Sequence, residues 1–388
     1  MNIVFLSPHF PPNFRHFISR LREFGANVLG VADVPYDDLG QEVKANLTEY
    51  YRVPDMHDYD ALVRAIGYLT FRYGKIDRIE SQNEYWLATE SRLRTDFNVF
   101  GIKLDQISKI KRKSEMKEVF EKAGLSPAHG RICSTEAELR QFIKEFGLPV
   151  VAKPDIGVGA AATYKIDDEE SLQSFLKKKD DSIDWIVEEF INAPIVTFDG
   201  LVDSKGDLVF TTSHRYSHGV MDVVNEDTHV YYYAQREIDP QVERDGLKIL
   251  KAFDVRERFF HFEFFDMGEG KLIPLEVNMR PPGGLTLDMF NFNYDFDCYR
   301  LWAELVVKGD CERSKTRPYF VMYVSRKDHI PYKLSHYEVL NEFRPLIIHH
   351  ERICDVFSRA IGNHGYVLRH AELQPLIAAA NAIHEQRV

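Results

Sequence analysis

The chain has 388 residues, which is enough for two or three domains that each bury a hydrophobic core. Hydrophobic residues make up 44% of it and charged residues 28%, an ordinary balance that excludes a disordered or fibrous chain. The formal net charge of -11 opposes general attraction to nucleic acid or to an anionic membrane, because both need a basic protein surface. We therefore expect neither a nucleic-acid partner nor a membrane partner.

Cysteine usage and the N-terminal sequence favour a cytoplasmic protein. The four cysteines are scattered and form no CxxC pair, which is typical of reduced thiols. The first residues, MNIVFLSPHF, lack a basic stretch followed by a long apolar one. No uninterrupted apolar run approaches the length that spans a membrane.

The first hundred residues alternate short apolar runs with amphipathic stretches. Strands are predicted over residues 2–7, 27–31 and 76–80, and helices over residues 14–24 and 60–73. This alternation predicts an open, Rossmann-like α/β domain over residues 1–105. The loop SPHFPPN after the first strand contains no GxGxxG, so the dinucleotide-binding fingerprint is missing.

Two helices are predicted next. One covers residues 114–122, with Ser114 as its N-cap and Gly124 as its stop, and the other covers residues 136–146 and ends at Gly147. A further helix is expected over residues 240–253. From residue 317 onward, the strand YFVMYVS and helical segments predict a C-terminal α+β appendage.

The strand LPVVAKP ends in a lysine that is followed by a loop of small residues. Lys153 precedes residues 156–162, which include Gly157 and Gly159, and such a loop lets backbone amides approach phosphates closely. No GKS or GKT follows, so this is not a Walker A loop. Lys113 is a second candidate cation. Either lysine alone is also explained as an ordinary solvated charge.

The segment FFHFEFFDMGEGKLIPLEVNM predicts a β-hairpin. If Glu269 and Gly270 form a two-residue turn, Glu263 lies directly opposite Glu276. Alternation then gives an apolar face and a polar face. The apolar face would hold Phe260, Phe262, Phe264, Leu275, Val277 and Met279, and the polar face His261, Glu263, Glu276 and Asn278.

Two carboxylates that face each other on a sheet repel and need compensation. A divalent cation would provide it, and an all-oxygen donor set from Glu263, Glu276 and Asn278 suits Mg²⁺ or Mn²⁺ better than Zn²⁺. Because protein-bound Mg²⁺ commonly shares its shell with substrate phosphates, this face predicts a nucleotide. Arg280 could hold an anion. The alternative is an exposed hairpin whose acids pair with nearby lysines or arginines.

Two lysines, a small-residue loop, the acidic segment EEFI at residues 188–191 and the acidic hairpin follow one another along the chain. Their order resembles that of the ATP-grasp superfamily of carboxylate-amine ligases. The branch concerned is similar to biotin carboxylase, carbamoyl-phosphate synthase and L-amino-acid ligases. The series consists of Lys113, Lys153 with its small-residue loop, EEFI at residues 188–191, Glu263, and EVNMRPPGG at residues 276–284. The ExNxRxxGG element is its most specific part. The resemblance implies a pre-ATP-grasp domain over residues 1–105, an ATP-grasp domain over residues 106–312 and a C-terminal appendage over residues 313–388.

The resemblance also implies roles for individual residues. Lys113 and Lys153 would contact ATP phosphates, and the hinge would read the adenine edge. That hinge consists of Glu188 and the backbone of Glu189, Phe190 and Ile191. Glu263, Glu276 and Asn278 would hold one or two Mg²⁺ or Mn²⁺ ions. Arg280 would face an acyl phosphate, Glu84 would lie near the acceptor, and Asp199 would substitute for a ribose-binding acid.

The implied function is an ADP-forming ligase that joins a carboxylate, expected to be an amino acid, to an amine through an acyl phosphate. Two alternatives remain at this point: a kinase that phosphorylates a hydroxyl acceptor, and a non-catalytic nucleotide-binding regulator. Arg215, in SHRYSHGV, is the expected contact to the substrate carboxylate, and His214 and His218 are interpreted as structural. A homodimer is expected from the family.

Overall fold

The computed structural model describes residues 1–157, 162–217, 223 and 227–387, and its strands form three sheets. The first sheet is parallel, in the order β3-β2-β1-β4. Its strands are β1 (Asn2–Leu6), β2 (Asn27–Ala32), β3 (Glu49–Arg52) and β4 (Arg78–Glu80). Helices α1 (Arg15–Glu23), α2 (Gln41–Asn46), α3 (Tyr59–Tyr73) and α4 (Leu87–Asp96) accompany them.

Strand β1 explains why this sheet is covered on both faces. Ile3 and Phe5 belong to one hydrophobic cluster and Val4 and Leu6 to another, so alternate side chains enter cores on opposite sides. The open, Rossmann-like α/β sheet predicted near the N-terminus is confirmed.

The second sheet is small and antiparallel, in the order β5-β8-β6-β7. Its strands are β5 (Gly130–Ile132), β6 (Val150–Pro154), β7 (Tyr164–Ile166) and β8 (Trp185–Glu189). Helices α5 (Leu104–Lys111) and α6 (Lys113–Lys122) precede it, and α7 (Glu136–Phe146) and α8 (Glu169–Lys178) pack their apolar sides on it.

The third sheet has nine strands, in the order β14-β13-β9-β11-β12-β15-β17-β16, with β10 paired to β9. Its first five strands in the chain are β9 (Ile195–Val202), β10 (Leu208–Thr212), β11 (His214–Tyr216), β12 (Tyr231–Ala234) and β13 (Arg258–Asp266). The other four are β14 (Leu272–Asn278), β15 (Phe320–Arg326), β16 (Ile347–Arg352) and β17 (His364–His370). The C-terminal strands therefore extend the sheet that carries the predicted hairpin.

Six described helices accompany this sheet. They are α9 (Pro240–Phe253), α10 (Thr286–Tyr294), α11 (Cys298–Lys308), α12 (His336–Glu342), α13 (Asp355–Ile361) and α14 (Gln374–His384). In the described part of the chain, no helix has both the length and the apolar character needed to cross a membrane. The mixed α/β and α+β fold agrees with the predicted fold class.

Pairing across the nine-stranded sheet separates its two faces. Glu263 pairs with both Glu276 and Thr197, and we call their side of the sheet the carboxylate face. Further along the sheet, Tyr216 pairs with Tyr232, Tyr232 with Tyr323, Tyr323 with Val367, and Val367 with His349. The hydroxyl of Thr197 accepts a hydrogen bond from the backbone of His214, whose ring lies on the same side. Since alternate residues face opposite ways, Tyr216 and its paired residues lie on the carboxylate face.

Two local predictions need correction. Helix α6 begins at Lys113, and Ser114 does not cap it; the Ser114 backbone and hydroxyl both donate to the Asp155 carboxylate, at 2.8 and 3.0 Å. A bulge in β14 breaks the hairpin register, so Phe264 pairs with Pro274 instead of Leu275. The sequence pattern does not show either feature, because the acid that contacts the start of α6 is Asp155, just after β6, and the bulge adds one residue to β14.

Candidate active site

The hairpin of β13 and β14 brings the two predicted metal-binding acids together. Glu263 pairs with Glu276 and His261 with Asn278, so the predicted register is confirmed at the site itself. Between the turn and the bulge the pairs are one residue out of the predicted register, as the pairing of Asp266 with Leu272 shows, and the extra residue in β14 restores that register at the site. The two glutamate side chains are 19% and 23% exposed, which leaves them accessible to a ligand while they remain close to buried groups.

Two lysines from outside the hairpin approach these carboxylates. Lys113 Nζ lies 3.3 Å from Glu276 Oε1 and donates to the carbonyl of Gly157 at 3.2 Å. Lys153, at the end of β6, is buried; burial alone lowers its pKa, but the carboxylates of Glu188, Glu276 and Glu263 outweigh that effect and raise it. Lys153 is therefore a cation, and Lys113 directly contacts the acid pair.

Glu188 bridges two buried lysines. Its oxygens lie 2.6 Å from Lys153 Nζ and 2.7 Å from Lys117 Nζ. Burial alone raises the pKa of Glu188, but the two lysines lower it to about 2. Burial lowers the pKa of Lys117 more than Glu188 raises it, and neighbouring Lys153 lowers it further. One carboxylate held between two ammonium groups leaves a positive surplus that suits a phosphate.

Several groups of the segment predicted to contact adenine, residues 188–191, already have partners within the protein. The side chain of Glu188 is committed to the two lysines, which leaves it badly placed to accept from an adenine amine. The Glu189 backbone donates to the carbonyl of His129 at 3.0 Å, and Phe190 donates to that of Pro149 at 3.3 Å. Ile191 follows the end of β8 and is half-buried. Gly157 accepts from Lys113, and Gly159 lies outside the described residues.

Glu263 is held by a chain of buried polar groups. His261 Nε2 lies 3.0 Å from Glu263 Oε1, and His261 Nδ1 lies 2.5 Å from Asp199 Oδ1. Asp199 also contacts His214 Nδ1 at 2.8 Å and accepts from the Thr197 hydroxyl. Asp199 is fully buried, so its expected role as a ribose-binding acid is wrong: its oxygens bind side chains of the sheet.

The same buried polar groups keep His261 protonated. Burial alone lowers the pKa of His261, but Asp199 and Glu263 outweigh burial and raise it to about 9. Burial alone raises the pKa of Asp199, but His261 and His214 lower it to about 2. At neutral pH, Glu263 therefore faces a cationic imidazole that orients its carboxylate. This is how a residue behind a metal ligand commonly acts.

Arg280 links the end of the hairpin to the N-terminal domain. Its Nη2 donates to Asn278 Oδ1 at 3.1 Å, and its Nη1 donates to the Pro281 carbonyl at 2.8 Å. Its Nε lies 3.7 Å from Glu84 Oε2, and Lys111 Nζ lies 3.2 Å from the other Glu84 oxygen. Asn278, Arg280 and Glu84 therefore form a continuous polar edge, and Glu84 reaches it from the loop after β4.

Arg215 is not brought to this edge. Its neighbours His214 and Tyr216 lie on the carboxylate face, so Arg215 points to the other side of the sheet. There its Nη1 lies 2.8 Å from Asp266 Oδ2, and its Nε donates to Gln235 at 3.2 Å. The pattern that suggested Arg215 gave its position along the chain but not its side of the sheet. His218 lies outside the described residues.

The donor set fits a hard divalent cation. Glu263, Glu276 and Asn278 contribute only oxygen atoms from one face of one hairpin, and their charges are only partly offset by Lys113 and His261. Such carboxylate and amide oxygens suit Mg²⁺ or Mn²⁺. Lys113 and Lys153 lie where phosphates bound to that ion could contact them.

Three features of the site escaped sequence reasoning. Lys117 lies one helical turn after Lys113 and therefore on the same side of α6, a spacing that could have indicated it. His261 lies two residues before Glu263 on one strand and on the same face, a spacing that could have indicated their contact. The contact of His261 with Asp199 joins β13 to β9, and no local pattern reports it.

Residues 146–288 match the family described as the ATP-grasp domain. The large chain of carbamoyl phosphate synthase from Mycobacterium sp. (strain JLS) is 26% identical over 194 residues, which is 48% of this chain and 17% of that protein. The L-arginine-specific L-amino acid ligase of Bacillus subtilis is 23% identical over 269 residues, 67% of this chain and 64% of the ligase. This chain thus spans less than two thirds of either curated relative.

Among solved structures, the L-amino acid ligase from Bacillus licheniformis superimposes with a TM-score of 0.77 at 13% identity, covering 98% of this chain and 96% of the ligase. At that identity the likeness concerns the fold. The family match thus covers residues 146–288, which include the ExNxRxxGG element, and the structural likeness shows a shared fold.

Proposed function

We propose that the protein is an ATP-dependent carboxylate-amine ligase of the ADP-forming kind, with an amino acid as its carboxylate substrate. One observation carries this proposal: Glu263 and Glu276 face each other beside Asn278, with Lys113 and Lys153 directed at the same carboxylates. This arrangement suits a nucleotide bound with a divalent metal ion. The named relatives, a carbamoyl phosphate synthase and two L-amino acid ligases, support the same class of reaction.

In the proposed site, Glu263, Glu276 and Asn278 would hold Mg²⁺. When bound, the ion would neutralise phosphoryl oxygens and so lower the cost of transferring the phosphoryl group. Lys113 and Lys153 bind and orient the phosphates, Glu188 keeps Lys153 charged and in place, and Lys117 holds the other oxygen of Glu188. The protein thereby contributes mainly positioning and charge compensation.

The proposed reaction has two steps. A substrate carboxylate oxygen attacks the γ-phosphorus of ATP, the bond to the β-phosphate oxygen breaks, and ADP leaves. The amine nitrogen of the second substrate then attacks the acyl carbon, inorganic phosphate leaves and the nitrogen loses a proton. Arg280 lies beside Asn278 and is the residue placed to compensate the negative charge of the acyl phosphate.

We assign the substrate to a cavity that borders the end of the ExNxRxxGG element. The cavity measures about 630 Å³ and is lined by Gly284, by the N-terminal loop around Asn13, and by His349 of β16. His349 lies on the carboxylate face. Asp288 in this lining accepts from Asn13 and from the Tyr299 hydroxyl, at 3.1 and 2.8 Å, and offers a carboxylate for a substrate amine.

The proposal includes the domain limits and the assembly. We divide the chain into a pre-ATP-grasp domain over residues 1–105, an ATP-grasp domain over residues 106–312 and a C-terminal appendage over residues 313–388. Substrates are small carboxylates and amines, and the protein acts as a homodimer.

The test is to incubate the protein with ATP and Mg²⁺ and a panel of single and paired amino acids, and to measure ADP, phosphate and product masses. We expect ADP and phosphate to appear with a particular pair, together with a new amide mass. A phosphorylated acceptor without an amide would replace the proposal with a kinase. ATP binding without turnover on any pair would favour the regulator. Glu276→Ala is the negative control for turnover, and its far-UV circular dichroism should match that of the wild type.

A further inference from the structure

Three histidines meet on the side of the nine-stranded sheet opposite the carboxylate face. His350 on β16 pairs with Tyr366, and His364 at the start of β17 pairs with Arg352, so His350 and His364 are diagonal neighbours on one face. His336, the first residue of α12, covers them from above. The ring centroids are 4.3 Å apart for His336 and His364, 5.4 Å for His336 and His350, and 5.7 Å for His350 and His364.

The nitrogen atoms of these rings converge. One nitrogen from each histidine lies within 4.8 Å of the other two. In a tetrahedral zinc site with Zn–N bonds of about 2.0–2.1 Å, ligand nitrogens are roughly 3.3 Å apart. Rotation of the side chains can close the difference, because His336 and His350 are exposed on the surface.

One of these rings has a buried nitrogen without a hydrogen-bond partner among the described residues. Burial, together with the neighbouring His336 and His350, lowers the pKa of His364 to about 4. Burial also lowers the pKa of His336. His364 Nε2 is buried and has no hydrogen-bond partner among the described residues, which is costly for a ring nitrogen. A neutral imidazole with a free lone pair is the form that binds metal.

The two arginines near the histidines already have partners within the protein. Arg352, whose strand position pairs with His364, lies 2.6 Å from Asp328. Arg326 donates to the carbonyl of Leu334 at 2.6 Å and lies 4.0 Å from the centre of the Tyr332 ring. Asp328 therefore partly offsets the charge of Arg352, while Arg326 is held by a carbonyl and an aromatic ring.

We propose that His336, His350 and His364 form a site for a transition-metal ion that prefers imidazole, with Zn²⁺ as the reference ion, and that the ion clamps α12 onto β16 and β17. Imidazole donors suit zinc, copper and nickel, whereas the all-oxygen active site suits Mg²⁺. The two sites therefore differ in ligand chemistry and lie on opposite faces of one sheet. The proposal does not depend on the ligase function.

Tyr366 supports the geometry from behind. Its hydroxyl lies 2.6 Å from His336 Nδ1. In the tautomer in which Nδ1 carries the proton, the ring donates to Tyr366 and Nε2 remains free for the ion. Histidine ligands are commonly fixed in this way through their second nitrogen.

The test uses untagged full-length protein that has been stripped with a chelator and then dialysed against Zn²⁺ without nucleotide. We expect one zinc ion per chain at this site, removed by His350→Gln with a loss of affinity of about tenfold or more. His349→Gln is the matched control, because His349 is the next residue on the same strand and faces the other side. Glu276→Gln should leave zinc binding at the three histidines unchanged.

Two further readouts make the outcome specific. Zn²⁺ should raise the Tm of the wild type by a few degrees and leave the Tm of His350→Gln unchanged, since an ion that binds only the folded protein stabilises it. Co²⁺ should give the visible absorption of a nitrogen-ligated tetrahedral ion in the wild type alone. If His350→Gln binds zinc as tightly as the wild type does, or if His349→Gln and His350→Gln lose it equally, the proposed site is wrong.

Discussion

Glu188 stabilises the fold by pairing with two buried lysines, and the free energy of unfolding that is lost without its charge can be worked out. Its side chain and those of Lys117 and Lys153 are each at most 10% exposed, and both carboxylate oxygens contact ammonium groups. Removal of one partner of a buried ion pair costs about 3–5 kcal/mol, because the remaining charge is left buried. Lowering of the pKa of Glu188 from 4.5 to about 2 gives a similar figure, about 3 kcal/mol. We therefore predict that Glu188→Gln lowers the free energy of unfolding by about 3 kcal/mol at pH 7.

The pH dependence of that difference follows from the direction of the pKa shift. A carboxyl group whose pKa is lowered by folding stabilises the protein fully above its unfolded pKa, and this contribution is lost as pH falls towards the folded pKa. The stability gap between wild type and Glu188→Gln should thus be constant near neutral pH. It should shrink between pH 4.5 and about 2.

Urea unfolding followed by tryptophan fluorescence and far-UV circular dichroism would measure the gap. Trp185 lies in the core of the same small sheet and reports its unfolding directly. Glu189→Gln is the matched control, because Glu189 is the adjacent acid and accepts only from the backbone of His129 at 2.9 Å among the described residues. The reasoning is refuted if the two variants lose the same stability, or if the gap does not narrow in acid.

Three more predictions concern activity. His261→Gln should lower kcat/KM for ATP about 10–100-fold. The wild type should lose activity as pH rises through about 9, because His261 loses its proton there, and the variant should not show this loss. Equal pH profiles for the two proteins would contradict the prediction. Arg215→Ala should change ATP turnover by less than about twofold, because Arg215 faces away from Glu263 and Glu276 and contacts Asp266 instead. A large loss of kcat would show that Arg215 takes part in the reaction. Asp288→Asn should raise KM for the amino acid and leave KM for ATP unchanged, because Asp288 lines the proposed substrate cavity. An unchanged amino-acid KM would show that the substrate does not bind in this cavity.

The sequence predicted the parts of the fold that depend on local pattern. The strands of the N-terminal sheet alternate with helices, and residues 136–146 and 240–253 form the expected helices to the residue. The opposition of Glu263 and Glu276 was expected from the turn residues and the two-residue period of a strand, and it is observed because the bulge in β14 offsets a one-residue shift in the pairs next to the turn. These features need only neighbours in the chain.

Features that depend on distant contacts could not be predicted in the same way. Asp155, just after β6, accepts a hydrogen bond from the N-terminal turn of α6, and the contact of Asp199 with His261 requires β9 to lie beside β13. Arg215 shows the same limit: its face of the sheet is set by pairing with Tyr233 and Val196. Each of these outcomes depends on how strands far apart in the chain are ordered in the sheet.

The central claim is that Glu263 and Glu276 together hold the metal ion of a bound nucleotide. It is tested most directly by electron paramagnetic resonance of Mn²⁺ titrated into the protein with and without ADP. The wild type should bind Mn²⁺ more tightly with ADP present, Glu276→Gln should lose at least about tenfold in that affinity with its circular dichroism unchanged, and Arg215→Ala should match the wild type. Binding of Mn²⁺ and ADP by Glu276→Gln at wild-type affinity would contradict the claim.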